Sequence, residues 1–313
     1  ASETDSLARD APPDAHRDVL ASRVVRDASI PASTGGTTSR FPMSRAVASP
    51  LRDVNGRDAR AVATTKPLRL KGAPGGPRFE LDAALASRLY DHQRDGVRWM
   101  WGLRLARRGG ILADDMGLGK TLQACAFIAG LLQSGAATRV LVLAPTTLLP
   151  HWSRELETCG LRRGETTFKF YGGSRGALER ELNACVTTGG VLLASYGMVT
   201  SRAVELGAPS DEDEAERASA REGRGAAPKD FAGKFRWDWI VMDEGHALKN
   251  ATTQLARKVR QLPADLRMIV TGTPVQNVLG ELWSLYDLTC PGLLGGENEF
   301  RRRRDAREQR VRV

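Results

Sequence analysis

The sequence has few cysteines and no long apolar run. Its four cysteines are widely separated, form no Cys-x-x-Cys pair and do not cluster with the four histidines. This pattern argues against a zinc site or a disulfide framework and favours a reducing compartment. No stretch approaches the roughly 18 consecutive apolar residues of a membrane-spanning helix, so we expect no association with a membrane.

Lysine is also scarce, and arginine supplies most of the positive charge. The formal net charge of +9 and the isoelectric point near 9.8 favour acidic partners, with nucleic acid first among them. Alanine and glycine are abundant as well, as a bias in codon usage would produce, so the net charge itself carries little weight.

Sustained periodicity is missing at the start of the chain. Residues 1–77 are rich in Ala, Arg, Ser, Asp, Pro and Gly, and we expect them to form a disordered tail. The first residue is Ala1 rather than Met, which suggests a fragment or a processed product. Residues 78–300 are expected to form one folded domain, interrupted at 207–230 by a disordered surface insertion. Residues 301–313 are interpreted as a truncated basic tail.

A glycine-rich turn lies at the centre of residues 109–121, which read Gly-Gly-Ile-Leu-Ala-Asp-Asp-Met-Gly-Leu-Gly-Lys-Thr. An apolar strand, a glycine-rich turn, Lys-Thr and an apolar helix are typical of a P-loop. There, backbone N–H groups hold phosphates, the lysine reaches the β and γ oxygens, and the threonine hydroxyl binds Mg²⁺. Asp114 stands where the usual first glycine would be, so a turn that merely contains a lysine stays open as an alternative. The predicted nucleotide-binding residues are Asp115, Met116, Gly117, Leu118, Gly119, Lys120 and Thr121.

Gln93 lies upstream of this turn, in residues 81–105, whose apolar residues recur at helical spacing. A side-chain amide can bond the N6 amine and N7 of adenine together. We therefore interpret Gln93 as an adenine reader that favours ATP over GTP. The alternative is an ordinary surface glutamine on an amphipathic helix.

A second apolar strand, over residues 237–242, ends in the carboxylates of Asp243 and Glu244. Two acids at the end of a buried strand are costly unless they bind something. Beside a P-loop, Asp243 is expected to hold Mg²⁺ together with Thr121, and Glu244 to polarise the attacking water. This interpretation places the strands that carry Lys120 and Asp243 side by side in one sheet. A capping pair between a strand and a helix is the alternative.

Strands and helices alternate along the rest of the domain, which predicts an α/β fold with a parallel sheet covered by helices on both faces. Residues 247–262 are predicted to be one helix with a solvated basic face. That face contains Lys249, Arg257, Lys258 and Arg260.

Together these segments resemble the Swi/Snf-type ATPases of helicase superfamily two. The resemblance is carried, in the family's order, by residues 89–99, 111–121, 141–156, 191–198, 240–250 and 270–288. The most specific strings are Asp-Met-Gly-Leu-Gly-Lys-Thr at 115–121 and Thr-Gly-Thr-Pro-Val-Gln-Asn at 271–277. Asp114 follows the habit of the family, and Asp115 is a conservative variant of its usual Glu. The string at 113–116 is most similar to the Cockayne-syndrome-B group and the polo-kinase-interacting checkpoint helicase.

The resemblance implies a RecA-like P-loop domain that forms the first of two lobes and uses ATP and Mg²⁺. It implies Lys120, Asp243, Glu244 and Gln276 as catalytic residues. The implied partner is double-stranded DNA, with nucleosomes or repair and transcription complexes beyond it, and the implied location is the nucleus. Contacts to DNA are expected at phosphates, and hence to be salt-sensitive and blind to sequence. The candidates for them are Pro145, Thr146, Thr147, Ser195, Tyr196 and Gly272.

The second lobe of such proteins supplies arginine fingers, which are worth about 10³–10⁵ in turnover. The chain alone is therefore predicted to hydrolyse ATP slowly. RNA helicases of the same superfamily usually show an Ala-x-Thr-Gly-x-Gly-Lys-Thr loop and a Ser-Ala-Thr motif, and neither occurs here. A non-catalytic scaffold that binds ATP or DNA stays open as the rival function.

Overall fold

The computed structural model describes residues 66–210, 212–213, 235–272 and 279–302. The strands in these ranges are β1 (Leu68–Leu70), β2 (Phe79–Leu81), β3 (Gly110–Leu112), β4 (Arg139–Ala144), β5 (Thr167–Phe170), β6 (Gly190–Ser195), β7 (Trp237–Asp243) and β8 (Ala264–Val270). The helices are α1 (Ala83–Arg88), α2 (Asp91–Leu105), α3 (Lys120–Gln133), α4 (Leu149–Thr158), α5 (Arg175–Thr188), α6 (Tyr196–Arg202), α7 (Gln254–Gln261) and α8 (Leu279–Thr289). A short 3₁₀ helix spans Gly245–Leu248.

Six of the strands form one parallel sheet in the order β3-β8-β7-β4-β6-β5. Its central strands are mostly apolar and buried, as expected of strands that are covered on both sides. Val140, Val142 and Ala144 of β4 face one core, and Leu141 and Leu143 face the other. Helices α1 to α4 pack on the first face and α5 to α8 on the second. The predicted α/β fold with helices on both faces is confirmed.

Helix α3, predicted from an apolar segment, is buried almost all round. Ala124, Cys125, Phe127 and Ile128 are all inaccessible to solvent. Phe127 packs edge-on against Trp239 of the sheet, with ring centroids 5.3 Å apart. This helix is therefore held from several sides, and the turn that precedes it is anchored to the core.

Part of the predicted tail is folded. Residues 66–77 were assigned to the tail, but they contain β1, which pairs in antiparallel fashion with β2. The indole N–H of Trp101 donates a 2.8 Å hydrogen bond to the carbonyl of Lys71 and ties this hairpin to α2. A strand of three residues is too short to produce a periodic signal. The rest of the predicted tail, residues 1–65, lies outside the described residues.

Residues 81–105, predicted as a single helix, form two. Helix α1 begins where Asp82 accepts a 2.8 Å hydrogen bond from the backbone N–H of Leu85, and it ends at Leu89, which is extended. Helix α2 begins at the next turn. The guanidinium of Arg94 joins them, because its Nε and one terminal nitrogen donate to the carbonyl of Ala86 at 3.1 and 3.0 Å.

Residues 247–262, also predicted as one helix, are interrupted after the 3₁₀ helix. Asn250 Oδ1 accepts hydrogen bonds from the backbone N–H and the hydroxyl of Thr252, and the hydroxyl of Thr253 then caps α7. Such side-chain to backbone bonds compete with a continuous helix.

The predicted solvated face is also only partly correct. The Lys249 ammonium lies 3.1 Å from the carboxylate of Glu281, with its side chain 10% exposed. The guanidinium of Arg260 lies 3.7 Å from the carboxylate of Asp287. Arg257 is exposed, as predicted. Two of the basic residues therefore fasten helix α8 to the segment that follows β7.

Parts of the predicted insertion and of the basic tail are not described. Residues 211 and 214–234 lie outside the described residues, as do 303–313. Arg301 and Arg302, at the start of the basic run, lie in a helical turn. Among the described residues, no helix combines the length and apolarity needed to cross a bilayer.

Candidate functional site

The carboxyl ends of the parallel strands bring the candidate residues to one edge of the sheet. Val270, which ends β8, pairs with Leu112 at the end of β3 and with Asp243 at the end of β7. The glycine-rich turn begins directly after Leu112. The prediction that β3 and β7 are neighbours is wrong, because β8 lies between them. The turn and the acidic pair nevertheless face each other across one strand, about 10 Å apart at ordinary strand spacing.

The glycine-rich turn wraps around the start of α3. Gly119 caps the helix in a left-handed conformation (φ 74°), and a Cβ there would lie 2.4 Å from Gln93 Nε2. Glycine alone fits this position without strain. The ammonium of Lys120 donates hydrogen bonds to the carbonyls of Asp114 and Asp115, both at 2.8 Å. A cation and a helix N-terminus thus meet at one point, an arrangement that favours a bound anion.

The other residues of the turn are accessible to a ligand. Asp115, Met116 and Gly117 are exposed, and Leu118 and Thr121 are partly buried. The turn also contacts the end of β8. A Cβ added to Gly272 would lie 2.7 Å from Met116 Cγ and 3.7 Å from Lys120 Nζ.

Asp114, which stands in place of the usual glycine, has a partner of its own. Its carboxylate accepts a 3.0 Å hydrogen bond from the side-chain amide of Gln123, a fully buried residue of α3. This bond joins the start of the turn to the helix that follows. Gln123 was not among the predicted site residues. A polar residue inside an otherwise apolar helix, one turn after Lys120, was the signal available.

Gln93 lies against the glycine-rich turn. It is 4% exposed, its Oε1 accepts a 3.1 Å hydrogen bond from the backbone N–H of Tyr90, and its Nε2 donates to the carbonyl of Leu118 at 3.1 Å. His92 Nε2 lies 3.2 Å from the same carbonyl. The amide therefore connects the start of α2 to the turn, and adenine reading by Gln93 stays a prediction.

Asp243 is buried at the end of β7 and held by three hydrogen bonds. It is 7% exposed. Its Oδ2 accepts a 2.7 Å bond from the indole N–H of Trp152, and its Oδ1 a 3.0 Å bond from the backbone N–H of Glu244. Its main-chain carbonyl accepts a 2.6 Å bond from the hydroxyl of Tyr196. Among the described residues it forms no ion pair, and a buried carboxylate without one is costly.

The electrostatic environment of Asp243 connects it to the glycine-rich turn. Burial raises the pKa of its carboxyl group above the usual value near 3.8, and the neighbouring Glu244 carboxylate adds to this rise. The Trp152 hydrogen bond and the Lys120 ammonium both oppose the rise in pKa. The positive charge of Lys120 therefore favours the ionised form of Asp243.

Glu244 adopts a left-handed conformation (φ 50°, ψ 52°), which is rare for a residue with a side chain. Its backbone N–H donates a 2.9 Å hydrogen bond to the carbonyl of Val270, so its main chain is fixed to β8. Its carboxylate lies 3.4 Å from His246 Nδ1 and is about a third exposed. Backbone strain of this kind clusters at functional sites.

The candidate nucleic-acid residues lie at the same edge of the sheet but differ in accessibility. Thr146 and Thr147 are exposed in the turn between β4 and α4, after the partly buried Pro145. Ser195 is buried and accepts a hydrogen bond from the backbone N–H of Met198, which caps α6. The Tyr196 hydroxyl donates a hydrogen bond to the main-chain carbonyl of Asp243. The side chains of Ser195 and Tyr196 therefore both make hydrogen bonds within the domain.

One predicted catalytic residue lies outside the described residues, and one residue in contact with Asp243 was not predicted. Gln276, predicted as catalytic, lies outside the described residues, as does the rest of residues 273–278. Trp152 lies within a segment that carried the resemblance but was assigned no role. Its contact with Asp243 joins residues that are 91 positions apart, and no local pattern reveals such a contact.

The donor set fits a magnesium ion that is bound together with a nucleotide. Among the described residues, no three His, Cys, Asp or Glu side chains are grouped to hold a metal. Mg²⁺ needs only one or two protein oxygens when phosphates and waters complete its shell. The unpaired, buried carboxylate of Asp243 and the hydroxyl of Thr121, in the first turn of α3, are oxygens of the kind it prefers.

A parallel sheet with a Lys-Thr glycine-rich turn and a buried acid at one edge defines a RecA-like nucleotide-binding domain. Residues 92–311 match the SNF2-related domain, and the chain belongs to that family. The resemblance to the Swi/Snf-type ATPases is confirmed, and nucleotide binding follows from membership of this class.

Relatives and a solved structure agree with this assignment. The protein CHROMATIN REMODELING 24 of Arabidopsis thaliana is 42% identical over 226 residues, which cover 71% of this chain and 19% of that protein. The human DNA excision repair protein ERCC-6-like is 36% identical over 216 residues, which cover 68% of this chain and 15% of that protein. The Sulfolobus solfataricus SWI2/SNF2 ATPase core in complex with dsDNA is 29% identical with a TM-score of 0.52, covering 68% of this chain and 38% of that one. The chain thus spans about a fifth or less of these two curated relatives.

Proposed function

We propose that this domain binds Mg·ATP between the glycine-rich turn and the Asp243–Glu244 pair. The protein that contains it would use ATP hydrolysis to move along double-stranded DNA. The observation that carries the proposal is the meeting of Lys120, the end of β8 and the buried carboxylate of Asp243 at one edge of the sheet. Within the described ranges this carboxylate has no ion-pair partner. The family assignment independently supports it.

The residues divide the work by their position. On nucleotide binding, the Lys120 ammonium exchanges its hydrogen bonds to the carbonyls of Asp114 and Asp115 for bonds to the β and γ oxygens. The dipole at the N-terminus of α3 also attracts the phosphates. Thr121 and Asp243 would hold Mg²⁺, and the bound ion would neutralise charge that develops on the phosphates. Glu244, fixed by its strained backbone, orients the attacking water, and Gln276 is retained as a candidate catalytic residue.

DNA is proposed to lie across the same edge of the sheet. The exposed turn at Thr146 and Thr147 offers backbone N–H groups and hydroxyls to phosphates, and Gly272, just after β8, offers its backbone N–H. Such contacts carry no sequence information and weaken as salt rises. The related Sulfolobus core was solved with duplex DNA, which supports this choice of partner.

The wider context is proposed from the relatives. Their names refer to chromatin remodelling and to DNA excision repair. We infer that the protein acts in the nucleus on DNA that carries nucleosomes, or on repair or transcription complexes. By the family resemblance a second lobe supplies the arginine fingers, so the 313-residue chain by itself is expected to bind ATP and hydrolyse it slowly.

Nucleotide binding by the purified 313-residue chain tests the proposal directly. Lys120→Ala removes the cation from the turn and is expected to weaken Mg·ATP binding on the order of 10²-fold, since a buried charge contact is worth several kcal/mol. Lys169→Ala is the matched control, because Lys169 lies on β5 and its ammonium stacks over Tyr171. Calorimetry on both variants is the measurement, and equal binding by the two would contradict the proposal.

A second experiment separates the motor from a non-catalytic scaffold. Glu244→Gln, placed in a protein that includes both lobes, is expected to keep ATP binding and to lose DNA-stimulated hydrolysis. If DNA-stimulated hydrolysis persists in Glu244→Gln, Glu244 does not orient the water. If neither the parent protein nor the variant hydrolyses ATP, with or without duplex DNA, the scaffold function is favoured.

A further inference from the structure

Two side chains reach Asp243 from opposite faces of the sheet. Trp152 of α4 is fully buried in the core formed with α1 to α4, and its indole N–H donates to Asp243 Oδ2 at 2.7 Å. Tyr196 of α6 packs against the core on the other face, and its hydroxyl donates to the main-chain carbonyl of Asp243 at 2.6 Å. One residue is therefore held by its carboxylate from one side and by its backbone from the other.

We propose that Trp152 and Tyr196 are positioning residues that fix Asp243 for magnesium binding. Trp152 sets the rotation of the carboxylate, and Tyr196 sets the position of the main chain that carries it. This inference rests on the proposed function, because it takes Asp243 to be the residue that meets the metal.

The need for an orienting donor follows from the geometry of an aspartate side chain. The last torsion of aspartate is broad, so its carboxylate rotates easily unless something holds it. Here Oδ1 receives the N–H of the next residue and Oδ2 receives the indole, which leaves each oxygen a further lone pair. The indole itself cannot move, because its ring is enclosed in a close-packed core. Outer-shell partners that orient metal ligands are commonly worth 10–100-fold in metal affinity.

A simpler explanation is that the indole N–H of Trp152 merely needs an acceptor, as buried tryptophans usually do. Two other tryptophans of the same domain show that this need does not explain the contact. Trp237 donates to a backbone carbonyl, that of Leu206, at 3.0 Å. Trp239 is equally buried, and its N–H has no acceptor among the described residues. Among the described residues, the fold thus satisfies one indole with a neutral carbonyl and leaves another without an acceptor, while Trp152 donates to the buried acid Asp243.

The test compares Trp152→Phe with Trp239→Phe. Each variant removes an indole from the same core, but only the first removes a donor to Asp243. Binding of a fluorescent, non-hydrolysable ATP analogue to the 313-residue chain is measured while Mg²⁺ is titrated, and again in EDTA. Trp152→Phe is expected to raise the Mg²⁺ concentration for half-maximal binding about tenfold or more and to leave metal-free binding unchanged. Trp239→Phe is expected to change neither.

Three results would overturn the inference about Trp152. The two variants could shift the Mg²⁺ requirement equally, Trp152→Phe could leave it unchanged, or it could weaken metal-free binding by the same factor. Each would mean that the indole supports packing alone. If the wild-type chain bound the analogue without any dependence on Mg²⁺, the proposed function itself would fail, which is a distinguishable outcome.

Tyr196→Phe keeps the inference testable if Trp152→Phe does not fold, because it removes one oxygen atom and leaves the ring in place. It is expected to raise the Mg²⁺ requirement several-fold, less than Trp152→Phe, since it acts on the main chain. Tyr171→Phe, on the partly buried tyrosine that follows β5, is its control. Equal behaviour of these two variants would remove Tyr196 from the proposal.

Discussion

Strand β7 carries two aspartates that are held in different ways. Asp238, near its start, accepts hydrogen bonds at 2.6 and 2.8 Å from the backbone N–H groups of Thr138 and Arg139, which fastens β7 to β4. Asp243, at its end, is more deeply buried and receives an indole N–H and the N–H of its own neighbour. The Asp238 carboxylate joins β7 to β4 at the edge of the sheet where the parallel strands begin. The Asp243 carboxylate, at the edge where they end, retains lone pairs that can bind a ligand. The same residue type thus acts as a structural clamp at one edge and as a candidate metal ligand at the other.

The largest expected effect is on the Mg²⁺ requirement of nucleotide binding, which should change on substitution of Asp243 but not of Asp238. Asp243→Asn removes the charged oxygen and is expected to raise the Mg²⁺ requirement of nucleotide binding by more than the roughly 10–100-fold of an outer-shell partner. Asp238→Asn is the matched substitution and is expected to leave the requirement unchanged. The Mg²⁺ titration of analogue binding measures both, and the same shift in the two variants would break the comparison.

The next effect concerns stability. Asp238→Ala leaves two backbone N–H groups without their acceptor, and partial access of water limits the loss to about 1–2 kcal/mol in the free energy of unfolding. Denaturant unfolding of the metal-free chain measures it. Asp238→Asn keeps an acceptor oxygen and should lose less than Asp238→Ala. An undiminished midpoint in Asp238→Ala would show that the clamp contributes nothing.

The pH dependence of stability sharpens the comparison further. Burial raises the pKa of Asp243 above its unfolded value near 3.8, so between the two pKa values the folded chain binds more protons than the unfolded chain. The free energy of unfolding of the metal-free chain should therefore fall as the pH rises from about 4 through the raised pKa. Asp243→Asn removes this loss, so the variant should gain stability relative to wild type over that range. A constant difference between the two proteins across the range would contradict the raised pKa.

The smallest effect uses the left-handed residues of the two edges. Arg107 (φ 52°) follows α2 near the amino edge, and Glu244 (φ 50°) follows β7 at the carboxyl edge. Arg107→Gly and Glu244→Gly should each relieve strain worth up to about 1 kcal/mol, seen as a small rise in the midpoint of thermal unfolding. Only Glu244→Gly should also abolish hydrolysis in a two-lobed protein. Loss of hydrolysis in Arg107→Gly would show that strain at the amino edge is functional too.

Much of the site was predictable because its signals are local. The glycine-rich turn, the Lys-Thr pair and the two acids after an apolar strand are contiguous, and parallel strands bring their carboxyl ends together without further information. Gly119 shows this well, since its left-handed conformation is of the kind that a glycine-rich turn before a helix provides.

The remaining features depend on contacts that periodicity does not encode. Strand order is set by which apolar faces pair in the folded chain, so the position of β8 between β3 and β7 was missed. The interruptions of the predicted helices at Leu89 and Asn250 depend on single capping side chains. The helical spacing of the apolar residues does not reveal them. The contact between Trp152 and Asp243 joins distant parts of the chain, and only the packing of α4 on the sheet reveals it.

The position of β8 has a mechanical consequence. A ligand that pulls the lysine turn and the acidic pair toward each other must do so across this strand, because Val270 pairs with residues on both sides. Any such inward movement would first displace Thr271 and Gly272, the two residues that follow β8.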